Sequence, residues 1–241
     1  MRVPRVAASE ARVTVYVLPS PEQCGSFVAV LDAEERRRAD RLRQEADRLL
    51  FIGAHGLLRY ALWAATGRVG WRFSANRYGK PALAGWRRPA VAFNLSHCRG
   101  MAVCAVGTTG AVGVDVERLD VAAVSDSVAA YLFTPVERAW LSGFAESEPV
   151  TAFFRVWTLK EAVVKAIGRG LTMDMQSLSV LPDLAVPGRG HWHTDQRFLS
   201  ADHLGAVAVR LADGRDCAID WRPVTAEMMA DTLLAAGSDQ S

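Results

Sequence analysis

Leu58-Arg59-Tyr60-Ala61-Leu62-Trp63-Ala64-Ala65-Thr66-Gly67-Arg68 lies without a gap on Leu159-Lys160-Glu161-Ala162-Val163-Val164-Lys165-Ala166-Ile167-Gly168-Arg169. Both stretches read as the end of an apolar helix followed by Gly-Arg, and glycine readily takes the left-handed conformation that stops a helix. A second echo pairs His97 and Gly100-Met101-Ala102-Val103 with His203 and Gly205-Ala206-Val207-Ala208. The surrounding elements recur in the same order. Asp32 with Glu35 forms a capping box, a second helix spans about residues 47–65, and strand-like runs follow at 71–73, 91–95, 101–106 and 112–116. Thr134-Pro135-Val136-Glu137 then opens another capped helix with proline at its first position. A helix over about 150–167 follows, and strand-like runs at 177–181, 205–211 and 217–221. The pattern predicts an α+β fold of two similar halves related by a pseudo-two-fold duplication. The expected halves are residues 1–110 and 111–241, joined near Gly107-Thr108-Thr109-Gly110, with a cleft between them as the natural site.

Composition sets the class. The chain has 241 residues, 50% of them hydrophobic and 22% charged, enough for one large or two small cores. A formal charge of +2 is too small to argue for a nucleic-acid partner, while Arg36, Arg37, Arg38, Arg41 and Arg43 make one region locally basic, which would also suit a phosphate-rich small molecule. Cys24, Cys98, Cys104 and Cys217 have no zinc or disulfide spacing. No signal peptide is read at the N-terminus, and no apolar run is read as long enough to span a bilayer, so a cytoplasmic protein without membrane contact is expected.

Two segments carry chemistry. In Gly113-Val114-Asp115-Val116-Glu117 the acids are two apart on a strand, so both carboxylates leave one face while the valines leave the other. Such a pair suits magnesium, which takes one or two carboxylates and completes its shell with phosphate and water oxygens; an ordinary polar strand face would look the same. In Trp157-Thr158-Leu159-Lys160-Glu161-Ala162-Val163-Val164-Lys165, Glu161 and Lys165 are one helical turn apart and share a face with Trp157. That spacing fits a surface ion pair, or a third metal ligand beside a phosphate-neutralising lysine.

Together the segments resemble the signature of the phosphopantetheinyl transferase superfamily, a G-x-D-x-E strand followed by W-x-x-K-E-x-x-x-K-x-x-G-x-G-L. Asn76-Arg77-Tyr78-Gly79-Lys80-Pro81 is similar to its Y-G-K-P segment and Phe93-Asn94-Leu95-Ser96-His97 to its F-N-x-S-H segment. Length and doubling resemble the long, monomeric, surfactin-type branch. The resemblance implies that Asp115, Glu117 and Glu161 hold magnesium, for which manganese could substitute, and that Lys165 meets the pyrophosphate of coenzyme A with Lys160 facing the same pocket. It further implies that Arg38, Lys80, Ser96 and His97 hold the adenosine end and its 3'-phosphate. Glu35 and Phe51 stand where relatives have a basic and a small hydroxyl residue, so the adenosine pocket is expected to be rebuilt.

The implied reaction moves 4'-phosphopantetheine from coenzyme A to a serine of an apo carrier protein and releases adenosine 3',5'-bisphosphate. Positioning and charge neutralisation would supply most of the acceleration, with Glu161 as base directly or through a metal-bound water. The carrier would belong to a fatty-acid, polyketide or nonribosomal peptide synthase. Residues 131–144, with Phe133, Trp140, Leu141 and Phe144 around Arg138, resemble the family's docking region. The alternatives are a magnesium-dependent nucleotide hydrolase using the same acids, and a binding module using the arginine run.

Overall fold

Alternation along the strands sorts the fold into layers. The computed structural model describes residues 10–85, 91–108, 110–144, 148–170, 173–181, 186, 190–212 and 214–238, with side chains to Leu233; Thr109, named above, and Leu171, which stands at the last position of the signature, lie outside the described residues. In β1 (Ala11–Pro19), Val13, Val15 and Val17 join one apolar cluster while Tyr16 and Leu18 join another. β5 (Met101–Gly107) repeats the division, with Val103 and Ala105 on one side and Ala102, Cys104 and Val106 on the other. This sheet is therefore buried on both faces. α2 (Glu45–Thr66) covers one face. Against the other lies a second sheet, in which β6 (Ala111–Arg118) supplies Val112, Val114 and Val116 and β8 (His203–Leu211) supplies Val207, Val209 and Leu211. Leu204, Ala206 and Ala208 on the far side of β8 pack under α5 (Pro149–Ile167). The order of layers is helix, sheet, sheet, helix.

The first sheet runs β4 (Ala92–Cys98), β5, β1, β9 (Cys217–Pro223), and the second runs β6, β8, β7 (His191–Ser200). All these neighbours are antiparallel except β1 and β9, which are parallel. Each half is one strand, a long helix and a hairpin whose second strand sits in the middle: β1-α2-β4-β5, then β6-α5-β7-β8. The doubled α+β fold expected from the helix match is thus written in the strand order. The last elements cross over, for β9 pairs with β1 and α6 (Ala226–Ser238) buries Met229 and Leu233 in the cluster under α2. A short ribbon of β2 (Phe73–Ala75) and β3 (Pro81–Leu83) completes the first half.

The repeat extends to buried charge. α1 (Ala33–Asp40) begins with the capping box of Asp32 and Glu35, and α4 (Pro135–Ser142) with that of Thr134 and Glu137. Arg59 of α2 pairs with Glu35, and Lys160 of α5 pairs with Glu137. Arg59 and Lys160 are the aligned positions of the two matched helices, so each long helix is pinned to the start of the helix before it by an equivalent ion pair.

Several expectations are corrected. No strand is expected before the first helix, yet β1 is central; the alternation of Arg12, Thr14 and Tyr16 with Val13, Val15 and Val17 is the signal that could have found it. Residues 177–181 are not a strand: Met175–Ser177 is a turn of 3-10 helix and only Ser179 forms a bridge. The strand of that region is β7, an edge strand with the mixed sequence His-Trp-His-Thr-Asp-Gln-Arg-Phe. α3 (Asp126–Leu132) and α6 were also unforeseen. Trp71 belongs to the core, two residues before β2 begins, and His203 starts β8 whereas His97 lies near the end of β4, so the two histidines are not equivalent, although Met101 to Val103 and Ala206 to Ala208 lie on the corresponding strands β5 and β8. α2, at 22 residues, is long and apolar enough by composition to cross a membrane, against the sequence reading, but 56% of its apolar window is buried in this fold.

Candidate active site

Gly113 decides where the site can form. A Cβ there would lie 2.0 Å from the Ala162 carbonyl oxygen and 2.3 Å from the Ala166 nitrogen, so α5 rests directly on the β6 backbone at this point. Asp115 and Glu117 are on the same face of β6 and consequently point along α5. Trp157 Nε1 donates to Glu117 Oε1 at 3.2 Å, and Lys165 Nζ reaches Asp115 Oδ1 at 2.5 Å. From the other half, Ser96 of β4 donates to Asp115 Oδ1 at 2.9 Å and accepts from Lys165 Nζ at 2.9 Å. Asn94, two residues earlier, accepts from the Val114 N–H at 2.8 Å and so joins β4 to the edge of β6. The seam between the halves is stitched by the same strand face that carries the polar site.

Charge at the seam is frustrated. Asp115 is 2% exposed and its Oδ2 has no partner among the described residues. Burial, then the charge of Asp115, pushes both Glu117 and Glu161 above the usual carboxylate range, against the pull of Lys165. Among the described residues no three His, Cys, Asp or Glu side chains form a metal cage. A magnesium site completed by phosphate oxygens and water does not need one. Hard oxygen donors, an orphaned buried carboxylate oxygen and acids that repel one another fit a divalent cation. Beside Glu161 and Trp157 opens a cavity of about 340 Å³, walled by Tyr131, Leu132, Val164 and Met173.

The remaining nominees are placed as follows. His97 stands exposed at the end of β4, within electrostatic reach of Lys165 and of His55. Arg38 is exposed with its guanidinium 5.5 Å from the Phe51 ring centre, and Phe51 stacks on His55 at 4.0 Å. Glu35 is buried, accepting from Arg59 and holding His55 Nδ1 at 2.8 Å. Burial alone would raise its pKa, but the bonds to His55 and Arg59 outweigh this and hold it down to about 2. The two departures, Glu35 and Phe51, thus jointly fix His55, which the sequence reading missed. The signal was there: Phe51, His55 and Arg59 recur every four residues on one helix face.

Two lysines are elsewhere than expected. Lys160 does not face the cleft; it is fully buried, with Nζ on Glu137 Oε2 at 2.5 Å and on the Leu178 carbonyl at 3.1 Å. One residue is about 100° of helix, so the neighbour of Glu161 is turned into the core. Lys80 Nζ is bonded to the carbonyl oxygens of Val112, Lys165 and Ala166. Of the expected docking residues, Phe133 is buried against Phe153, whereas Tyr131 and Val136 are exposed. A groove of about 430 Å³ between α3 and α4 is lined by Val124, Ala129, Arg138, Leu141 and Phe153.

Residues 111–217 match the family described as the 4'-phosphopantetheinyl transferase superfamily. The chain is 34% identical over 160 residues to the 4'-phosphopantetheinyl transferase HetI of Nostoc sp., covering 64% of this chain and 67% of that one. It is 35% identical over 105 residues to the 4'-phosphopantetheinyl transferase gsp of Aneurinibacillus migulanus, covering 44% and 41%. To the 4'-phosphopantetheinyl transferase Sfp of Bacillus subtilis it is 26% identical over 163 residues, covering 67% and 70%.

Proposed function

The chain belongs to the 4'-phosphopantetheinyl transferase superfamily, and from that membership we propose that it transfers 4'-phosphopantetheine from coenzyme A to a serine hydroxyl of an apo carrier protein, with magnesium, releasing adenosine 3',5'-bisphosphate. The observation that carries the reading is the convergence of Asp115, Glu117, Glu161 and Lys165 where β4, β6 and α5 meet at the seam.

Asp115, Glu117 and Glu161 would hold the metal, which when bound polarises a phosphoryl oxygen and offsets the charge of the pyrophosphate. Lys165 keeps an ammonium at the cleft, 28% exposed, where it can neutralise the leaving bisphosphate. Ser96 and Asp115 fix that ammonium in place, so its entropy is lost on folding and not during the reaction. Glu161, placed beside the metal position, or a water held there, would accept the proton of the attacking serine. The exposed Tyr131 and Val136 beside the Arg138 groove offer an apolar rim with a cation to an acidic carrier domain.

Incubation with coenzyme A, magnesium and an apo carrier protein, read by intact mass, tests the proposal. A phosphopantetheine added to the carrier supports it; loss of coenzyme A with an unmodified carrier indicates a hydrolase.

A further inference from the structure

α5 ends inside the molecule, and the last carbonyls of a helix have no partner within it. Gly168, at φ 76°, closes the helix by returning its N–H to the Val164 carbonyl at 2.9 Å. The carbonyls of Lys165, Ala166 and Gly168 are met from the first half of the chain. Asn76 Nδ2 donates to the Gly168 carbonyl at 3.1 Å. Lys80 Nζ donates to the Lys165 carbonyl at 2.6 Å, leans on that of Ala166 at 3.4 Å, and reaches the Val112 carbonyl of β6 at 3.0 Å. The turn that presents them is itself fixed, because Asn76 Oδ1 accepts from the N–H groups of Tyr78 and Lys80, each at 2.9 Å.

An ammonium has three protons, and here three carbonyls surround it. Nothing is left over for a phosphate unless the helix end is released. A cation at this terminus also opposes the negative end of the helix dipole. Packing agrees: a Cβ on Gly168 would come within 3.2 Å of the Lys80 side chain. The carbonyl bound most closely belongs to Lys165, whose own ammonium lies on Asp115 and Ser96. Lys80 therefore holds the backbone of the residue whose side chain serves the cleft.

We propose that the turn from Asn76 to Pro81 caps the catalytic helix across the seam, and that Lys80 is a positioning residue acting through Lys165 and makes no contact with the donor's 3'-phosphate. This rests on the transferase reading for its kinetic consequence but not for its structural one.

The test compares the wild type with Lys80→Met, Lys165→Ala and the double variant, using coenzyme A and dephospho-coenzyme A with an apo carrier. Lys80→Met is expected to lower kcat/KM about 10- to 100-fold, the scale of a small misplacement, and by the same factor for both donors. In the Lys165→Ala background it should add less than about threefold, as coupled residues do. A loss confined to coenzyme A, with dephospho-coenzyme A spared, makes Lys80 a phosphate contact and overturns the proposal; so does full additivity. Amide hydrogen exchange reads the cap without any transfer. Lys80→Met should speed exchange in the last turn of α5 at least about tenfold relative to its middle, and unchanged exchange there overturns the cap even if the protein proves not to be a transferase.

Discussion

At the residue level, function depends on which charges are free to act. Asp115 spends one oxygen on Ser96 and Lys165 and keeps the other buried without a partner. Asp115→Asn, which keeps the shape and removes the charge, should cut transfer by about 10²–10³-fold while a thermal melt still shows a cooperative fold. Lys160→Met should do the reverse. It leaves Glu137 charged and buried beside its two backbone donors, the N–H groups of Thr134 and Val180, so stability should fall by about 3–5 kcal/mol, with the cleft residues themselves untouched. Urea midpoints for the single variant and for Lys160→Met with Glu137→Leu decide it: the pair of changes should recover much of the loss. The equivalent pair in the first half gives a pH dependence. Glu35 titrates near 2 when folded, below the ordinary carboxylate value of 4.5, so its contribution is present above about pH 4.5 and lost as pH falls toward 2. The shift corresponds to something on the order of 3 kcal/mol. Glu35→Gln should therefore be less stable at pH 7 and lose less on acidification than the wild type, measured by urea midpoints across that window. Residue types and spacing made the acids and Lys165 legible in the sequence. Lys160 and Lys80 were not, because a lysine motif reads alike whether its ammonium meets a ligand or a buried carbonyl.

Among elements, the contact of α5 with β6 sets the site. Gly113→Ala would drive a methyl group into the backbone of Ala162 and Ala166, so the helix must move or the strand must bend. Overpacking of a core costs about 1–3 kcal/mol, occasionally more, and here the displaced helix carries Glu161 and Lys165. Loss of both stability and transfer is expected. Gly67→Ala is the control. Gly67 has φ 69° with nothing within 4 Å of a new Cβ, so only the left-handed penalty of about 1–2 kcal/mol applies, and the transfer rate should stay near that of the wild type. The elements that sequence made plain are those with a recognisable cap at one end: the boxes of Asp32 with Glu35 and Thr134 with Glu137 at helix starts, and Gly67 and Gly168 at helix ends. β1 and β7 differ in what the sequence offers. β1 alternates Arg12, Thr14 and Tyr16 with valines before becoming apolar on both faces at Val17 and Leu18, whereas β7 lies at an edge and mixes apolar with polar residues throughout.

For the whole molecule, duplication made the seam and divergence left one usable side of it. The matched helix α2 carries Arg59 and Tyr60 where α5 carries Lys160 and Glu161. The buried cation is kept, and the acid is absent from the first copy. A single coenzyme A per chain is expected by calorimetry. The C-terminal elements matter to the first half, since β9 covers the edge of β1 and Met229 packs beside Gly56 and Phe27. Truncation after Leu211 should therefore destabilise the cluster under α2, far from the site, and appear as lost soluble yield. The measurement that bears most directly on the central claim is intact mass of an apo carrier protein after incubation with coenzyme A and magnesium, run for the wild type and for Glu161→Gln. Addition of one phosphopantetheine to the carrier by the wild type, and little or none by a folded Glu161→Gln, is the expected result; an unmodified carrier with the wild type, or an undiminished rate with the variant, would contradict the assignment of chemistry to this seam.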